Sequence, residues 1–236
     1  MSSVLYLKGS NLPGQGKKRL GECIKSQRVL MIVKLKNLEG VFHIRFIDEK
    51  TKQSDVEFRK LDATMTPVLV HQGIEYQDVD EIAYHLEKHF PDPPLETHDV
   101  EANALGGQAT PMSSLAGWIK NKDPKREDFL RQKFEKSMGD IDHSLGKREG
   151  PFICGEELKF PDCILLPKLY HAKVAALYIK NYDFTKPDPR VQTSSETPPV
   201  FKNIGNYLKA AMGNPVFSET CPSENEIQEK WRNYKR

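Results

Sequence analysis

Cys23 stands where a thiol is best placed to react. An apolar run, Val4-Leu5-Tyr6-Leu7, ends in a Gly-rich loop, and a helical pattern opens just after the cysteine, through Ser26-Gln27-Arg28-Val29-Leu30-Met31-Ile32-Val33-Lys34-Leu35. A thiol at a helix N-terminus faces unpaired backbone N–H groups and the positive end of the helix dipole. Both favour the thiolate, which is the nucleophile. From Lys8 to Lys36 there are eight Lys or Arg residues and one acid, Glu22, so the surroundings are expected to be electropositive. The ordinary alternative is a packed thiol, since free Cys behaves as a small hydrophobe. No second cysteine follows Cys23 within the motif, which excludes a dithiol mechanism there. Cys154, Cys163 and Cys221 read as packed thiols in apolar helical surroundings. The seven His residues are scattered and none is assigned as a ligand; no Cys/His cluster has zinc spacing, so no metal is expected.

Composition narrows the class. The 236 residues allow two small domains or one large one, and a net charge of +2 with no dense basic block argues against a nucleic-acid binder. Four widely spaced cysteines do not make a disulfide scaffold and suit a reducing compartment. The opening Met-Ser-Ser-Val-Leu-Tyr-Leu-Lys lacks the apolar core of a signal peptide, so a cytoplasmic location is expected. The best candidate for a membrane span, Val29 to Ile47, carries Lys34, Lys36, Glu39, His43 and Arg45. Charges at central positions make insertion costly, and a helix followed by a strand is the better reading.

The elements that must hold the thiol follow from periodicity. Val4–Lys8 reads as a strand, Ser26–Leu38 as a helix closed by Gly40, and Val41–Ile47 as a second strand. Ser54–Leu61 is a short helix candidate. Val68-Leu69-Val70 and Ile74-Glu75-Tyr76 flank His71-Gln72-Gly73 as a hairpin. Asp78 caps a helix that Pro91 ends, with Glu81 three residues on as in a capping box. The order β-α-β-α-β-β-α is a thioredoxin-like layout over residues 1–90. Pro91-Asp92-Pro93-Pro94 opens a stiff linker, 91–99, and 100–236 is expected to be an all-helical domain without strands. Ser113–Asn121, Arg126–Leu145, Pro161–Ile179, Val200–Met212 and Ser223–Lys235 read as its helices, and Thr185–Pro199 as a mobile loop.

A thioredoxin-like domain followed by a helical one resembles the glutathione transferases. Three blocks narrow the likeness. Gly21-Glu22-Cys23-Ile24-Lys25-Ser26-Gln27-Arg28 resembles the G-N-C-P-F-S-Q-R segment of the chloride intracellular channel family. Asp162-Cys163-Ile164-Leu165-Leu166-Pro167-Lys168-Leu169 resembles its D-C-N-L-L-P-K-L hallmark, and Phe217-Ser218-Glu219-Thr220-Cys221-Pro222 its F-x-x-T-C-P segment. The resemblance implies a glutaredoxin-like site with glutathione as co-substrate and Cys23 as the catalytic thiol. It implies a cis Thr66-Pro67 bond beside the cysteinyl part of glutathione, and Asp78 and Val79 at its glutamyl end. It further implies a monomer in the soluble form, with conditional association with an anionic membrane surface or ion-channel activity.

This chain departs from that pattern at several places. Ile24 and Lys25 replace the usual Pro and Phe, so Lys25 adds positive charge beside the thiol while an apolar wall is lost. Val79 replaces a hydroxyl residue; one hydrogen bond to a charged group is worth about 1.5–3 kcal/mol. Lys159 stands where a Ser or Thr cap is usual, a loss of about 1 kcal/mol. The readings carried forward are a monothiol glutathione-dependent oxidoreductase, a non-enzymatic membrane-associating or scaffold protein, and an omega-class or dehydroascorbate-reductase-like transferase.

Overall fold

The computed structural model describes residues 3–10, 12, 19–48, 55–108, 110–187 and 199–235. They form two compact units, one of residues 1–96 with 215–226, the other of 97–214 with 227–236. The break between Glu96 and Thr97 falls within the predicted linker, 91–99, and the segment 215–226 near the C-terminus groups with the first unit.

The first unit is built on a four-stranded sheet of order β2-β1-β3-β4. β1 (Val4–Lys8) pairs in parallel with β2 (His43–Ile47) and antiparallel with β3 (Val68–His71), which forms a hairpin with β4 (Ile74–Tyr76). The central β1 is apolar on both faces and buried along almost its whole length, as a strand covered on both sides must be. The outer β2 and β4 are largely exposed or half-buried and tolerate His43, Arg45 and Glu75. α1 (Ile24–Leu35) buries Val29, Leu30, Met31, Ile32 and Val33, and α2 (Val79–His89) buries Ile82, Ala83 and Leu86. Among the described residues between β2 and β3 the chain makes a 3-10 turn, Phe58–Lys60, in place of the predicted helix, whose first residue, Ser54, lies outside the described residues.

Lys36 organises the end of this unit. Its side chain is wholly buried, and its ammonium meets Glu87 Oε2 at 2.6 Å, the Phe90 carbonyl at 2.7 Å and the Pro93 carbonyl at 2.9 Å. Glu87 Oε1 in turn accepts from the N–H groups of Leu95 and Glu96. The Pro-rich segment is therefore held to α1 and α2 rather than left as a free linker.

The second unit is helical. α3 (Val100–Gly107), α4 (Thr110–Lys120), α5 (Glu127–Leu145), α6 (Phe160–Lys180), α7 (Lys202–Gly213) and α9 (Glu224–Trp231, shared with the first unit up to Glu226) are joined by α8 (Pro215–Thr220), which belongs to the first. No strand follows Tyr76 among the described residues. α3 was not expected; its Gly106 lies against Pro161, where an added Cβ would come within 2.6 Å of the proline Cα. Asp162 fixes the start of α6. Its carboxylate accepts from the N–H groups of Ile153 and Lys159, both at 2.9 Å, and from the Tyr207 hydroxyl at 2.7 Å. The loss of a side-chain cap at Lys159 is thus offset by an acid reaching back from the third helical residue. Most of the expected loop 185–199 lies outside the described residues, and among the described ones no helix is long and apolar enough to cross a membrane.

Candidate thiol site

The thiol is placed by a backbone that leaves β1 and folds back on it. Gly9 N–H donates to the Ile47 carbonyl, Ser10 N–H to Arg19, and Gly21 N–H returns to Lys8 at 2.8 Å. At that crossing a Cβ on Gly21 would lie 2.2 Å from the Gly9 oxygen, so no other residue fits. Cys23 N–H bonds the Gly21 carbonyl, and Cys23 then takes the N-cap of α1 with extended backbone. Its Sγ accepts from Ser26 N–H at 3.4 Å, and the residue is half-buried. Ser26 is held in turn, its hydroxyl accepting from Lys8 N–H at 3.1 Å.

Ion pairs neutralise four of the eight basic residues between Lys8 and Lys36. Lys8 pairs with Glu22 at 2.8 Å, Arg28 with Asp80 at 2.7 Å, Lys34 with Glu39 and Glu219, and Lys36 with Glu87. Glu22, immediately before the cysteine, is buried and leaves Oε2 without a partner. It was visible in the sequence as the lone acid of a basic stretch. Arg19 and Lys25 are exposed and form no ion pair among the described residues. Lys17 and Lys18 lie outside them.

The other expected site residues fall in two places. Thr66 and Pro67 are buried, joined by a cis bond as expected, and lead into β3 beside β1. Asp78 is the exposed N-cap of α2, its Oδ1 accepting from Asp80 N–H at 2.8 Å and Glu81 N–H at 3.2 Å. Those two bonds hold its carboxyl below the usual carboxylate range, and the charges of Lys25 and Arg28 act in the same direction. Val79 is buried, so its side chain packs inward. Cys23, Lys25, Asp78 and Val79 thus sit at the first turns of two helices joined by the Arg28–Asp80 pair. That tie was missed because the sequence carries no signal linking positions 28 and 80.

The remaining cysteines differ from one another more than expected. Only Cys163 is on a helix and fully buried. Cys154 sits in a turn and Cys221 just after α8, both half-buried. Burial pushes the Cys154 thiol up, with the Asp162 charge adding to it. Burial pushes Cys221 up to about 12, although Gln27 Nε2 donates to its sulfur at 3.4 Å. Among the described residues no group of three or more His, Cys, Asp or Glu is placed to hold a metal ion.

No family model matches the chain. It is 28% identical over 215 residues to the "Probable glutathione S-transferase DHAR2, chloroplastic" of Oryza sativa subsp. japonica, covering 91% of this chain and 71% of that protein. Its fold is similar to that of dehydroascorbate reductase from Chlamydomonas reinhardtii, with a TM-score of 0.75, 22% identity and 99% of each chain covered. It is also similar to the CLIC homologue EXC-4 from C. elegans, with a TM-score of 0.72, 19% identity, and 98% of this chain and 85% of that one covered. The chain has the glutathione-transferase fold. The narrower likeness to chloride intracellular channel proteins is matched by an equal likeness to dehydroascorbate reductases.

Proposed function

We propose that this chain is a member of the glutathione-transferase superfamily and a glutathione-dependent oxidoreductase working through the single thiol of Cys23. The observation that carries the reading is the half-buried Cys23 at the N-cap of α1, its Sγ accepting from Ser26 N–H. Negative charge on that sulfur meets oriented backbone N–H groups. The Cys23 thiolate attacks the glutathione sulfur of a mixed disulfide, forming a Cys23–glutathione disulfide and expelling the partner as its thiolate. A second glutathione thiolate then attacks the glutathione sulfur of that adduct, releasing oxidised glutathione and restoring Cys23. No second protein cysteine is needed.

Glutathione is assigned to the residues the sequence nominates. The backbone of Thr66, before Pro67, takes its cysteinyl part, as the superfamily resemblance implies. The Asp78 carboxylate suits the glutamyl ammonium, and the first turn of α2 at Val79 the glutamyl carboxylate. Exposed, unpaired Lys25 supplies a cation beside both the thiol and Asp78. The named relatives favour dehydroascorbate as the oxidised substrate. With it the Cys23 thiolate adds to a substrate carbonyl. A glutathione thiolate then attacks the Cys23 sulfur of that adduct, leaving the Cys23–glutathione disulfide while the carbon–sulfur electron pair departs with ascorbate.

The test is a glutathione-coupled assay of wild type and Cys23→Ser with two oxidised substrates, dehydroascorbate and a small glutathione mixed disulfide. Loss of both activities by about a hundredfold or more in the variant is expected. Full activity without Cys23, or none in wild type, would overturn the reading, the latter in favour of a non-enzymatic role.

A further inference from the structure

Two charged residues without an assigned role join the turns on which the proposed site rests. Arg28 lies five residues beyond Cys23 on α1. One of its terminal nitrogens meets Asp80 Oδ1 at 2.7 Å, on the first turn of α2. The two ends of this pair differ. The Arg28 side chain is only 12% exposed, whereas that of Asp80 is 76% exposed. Arg28 Nε is buried without a partner. A buried guanidinium with an unmet donor is costly, and an apolar side chain would fill the same space without that cost.

What the arginine does is visible in its neighbours. Asp80 is held twice, by its carboxylate on Arg28 and by its N–H on Asp78 Oδ1. Asp78 is the cap whose carboxylate is proposed to meet the glutamyl end of glutathione. The thiol is at the start of α1, the cap is at the start of α2, and Arg28–Asp80 is the ion pair that joins the helices near those two starts.

We infer that Arg28 is a positioning residue for glutathione, setting the spacing between Cys23 and Asp78 through Asp80. This inference rests on the glutathione-dependent reading above. A tripeptide that touches both turns is bound well only when their spacing is fixed beforehand, and binding otherwise bears the cost of fixing it. Arginine is suited to the task because its planar fork holds direction as well as charge, which a lysine ammonium does less well.

The experiment is steady-state kinetics at saturating oxidised substrate for wild type, Arg28→Gln, Asp80→Asn, the double variant and Arg28→Lys, with Cys23 alkylation rates measured in parallel. Arg28→Gln and Asp80→Asn are each expected to raise KM for glutathione about five- to tenfold, with kcat and the Cys23 alkylation rate within about twofold of wild type. The double variant should be no worse than either single one, and Arg28→Lys should recover part of the loss. Asp80 is exposed, so its Asn variant stays informative if Arg28→Gln does not fold. An unmoved KM in Asp80→Asn, additive effects in the double variant, or a parallel fall of kcat and Cys23 alkylation would overturn the inference. Wild type without glutathione-dependent turnover would overturn the underlying reading and this inference with it, whereas active wild type with unmoved KM removes only the positioning role.

Discussion

Nδ1 of His71 lies 2.7 Å from Nε2 of His85, both rings being buried. The contact needs one nitrogen to donate and the other to accept, so the pair is satisfied when both rings are neutral. His89 stacks on His85 with ring centroids 4.1 Å apart, Tyr76 also packs on His85 at 4.3 Å, and Phe42 and Phe90 enclose His71. Three histidines that look scattered in sequence therefore meet. His85 and His89 are one helical turn apart, and His71 ends the strand packed beneath them.

Acid should unfold this protein through these rings. Burial, with the charges of His89, His71 and Lys88, lowers His85 to about 4. Burial lowers His71 too, and lowers His171 in α6 to about 3. An unfolded imidazole titrates near about 6.5. Below that value the unfolded chain binds more protons than the folded one, so stability falls with pH between about 6.5 and the folded values. Urea midpoints taken from pH 7 to pH 4 should decline steadily, and His85→Gln should flatten part of that slope. A slope identical in wild type and variant would show that the pair does not govern it.

Alkylation should single out one cysteine. Cys23 is half-exposed at a helix N-terminus, Cys163 is fully buried, and Cys221 is held up near about 12. At pH 7.5 under native conditions, mass spectrometry should find Cys23 modified about tenfold or more faster than Cys154, Cys163 or Cys221. Comparable early labelling at Cys221 would contradict the assignment.

Breaking the Lys36–Glu87 pair should be severe. Removing one partner leaves a buried charge unmet, at about 3–5 kcal/mol. Lys36→Met is expected to lose that much in urea denaturation, while Lys36→Met with Glu87→Leu recovers part of it. A cost below about 1 kcal/mol for Lys36→Met would mean that water reaches the site.

The start of α6 offers a graded series. Tyr207→Phe removes one hydrogen bond to a buried carboxylate, about 1.5–3 kcal/mol. Asp162→Ala strands three donors at once and should cost more, although less than three times as much. Equal losses for the two variants would show that the backbone donors of Ile153 and Lys159 find other partners.

Features set by neighbours in sequence were legible; features set across the fold were not. The apolar run of Val4–Lys8, the turn at His71-Gln72-Gly73 and the cap at Asp78 all appear where local pattern puts them. α3 escaped because its apolar residues are spread around the helix, leaving Asp99 as its one clear signal. α8 spans six residues, too few for a period to repeat. In the site, Cys23 was readable from its place before a helix, but Arg28–Asp80 and Gln27–Cys221 join positions 52 and 194 residues apart. Three of the acids that pair with the basic run, Asp80, Glu87 and Glu219, lie far along the chain, so its partial neutralisation was not legible.

The arrangement around Lys36 also limits how such a chain can be recombined. A crossover with a relative anywhere between residues 40 and 85 would separate the lysine from the carboxylate and the two carbonyls that receive it. The lysine would then face foreign backbone in a dry interior. The helix ending at Leu35 and the segment from Glu87 to Glu96 are thus inherited together or not at all. Viable chimaeras should exchange the whole of residues 1–96 or leave both segments in place.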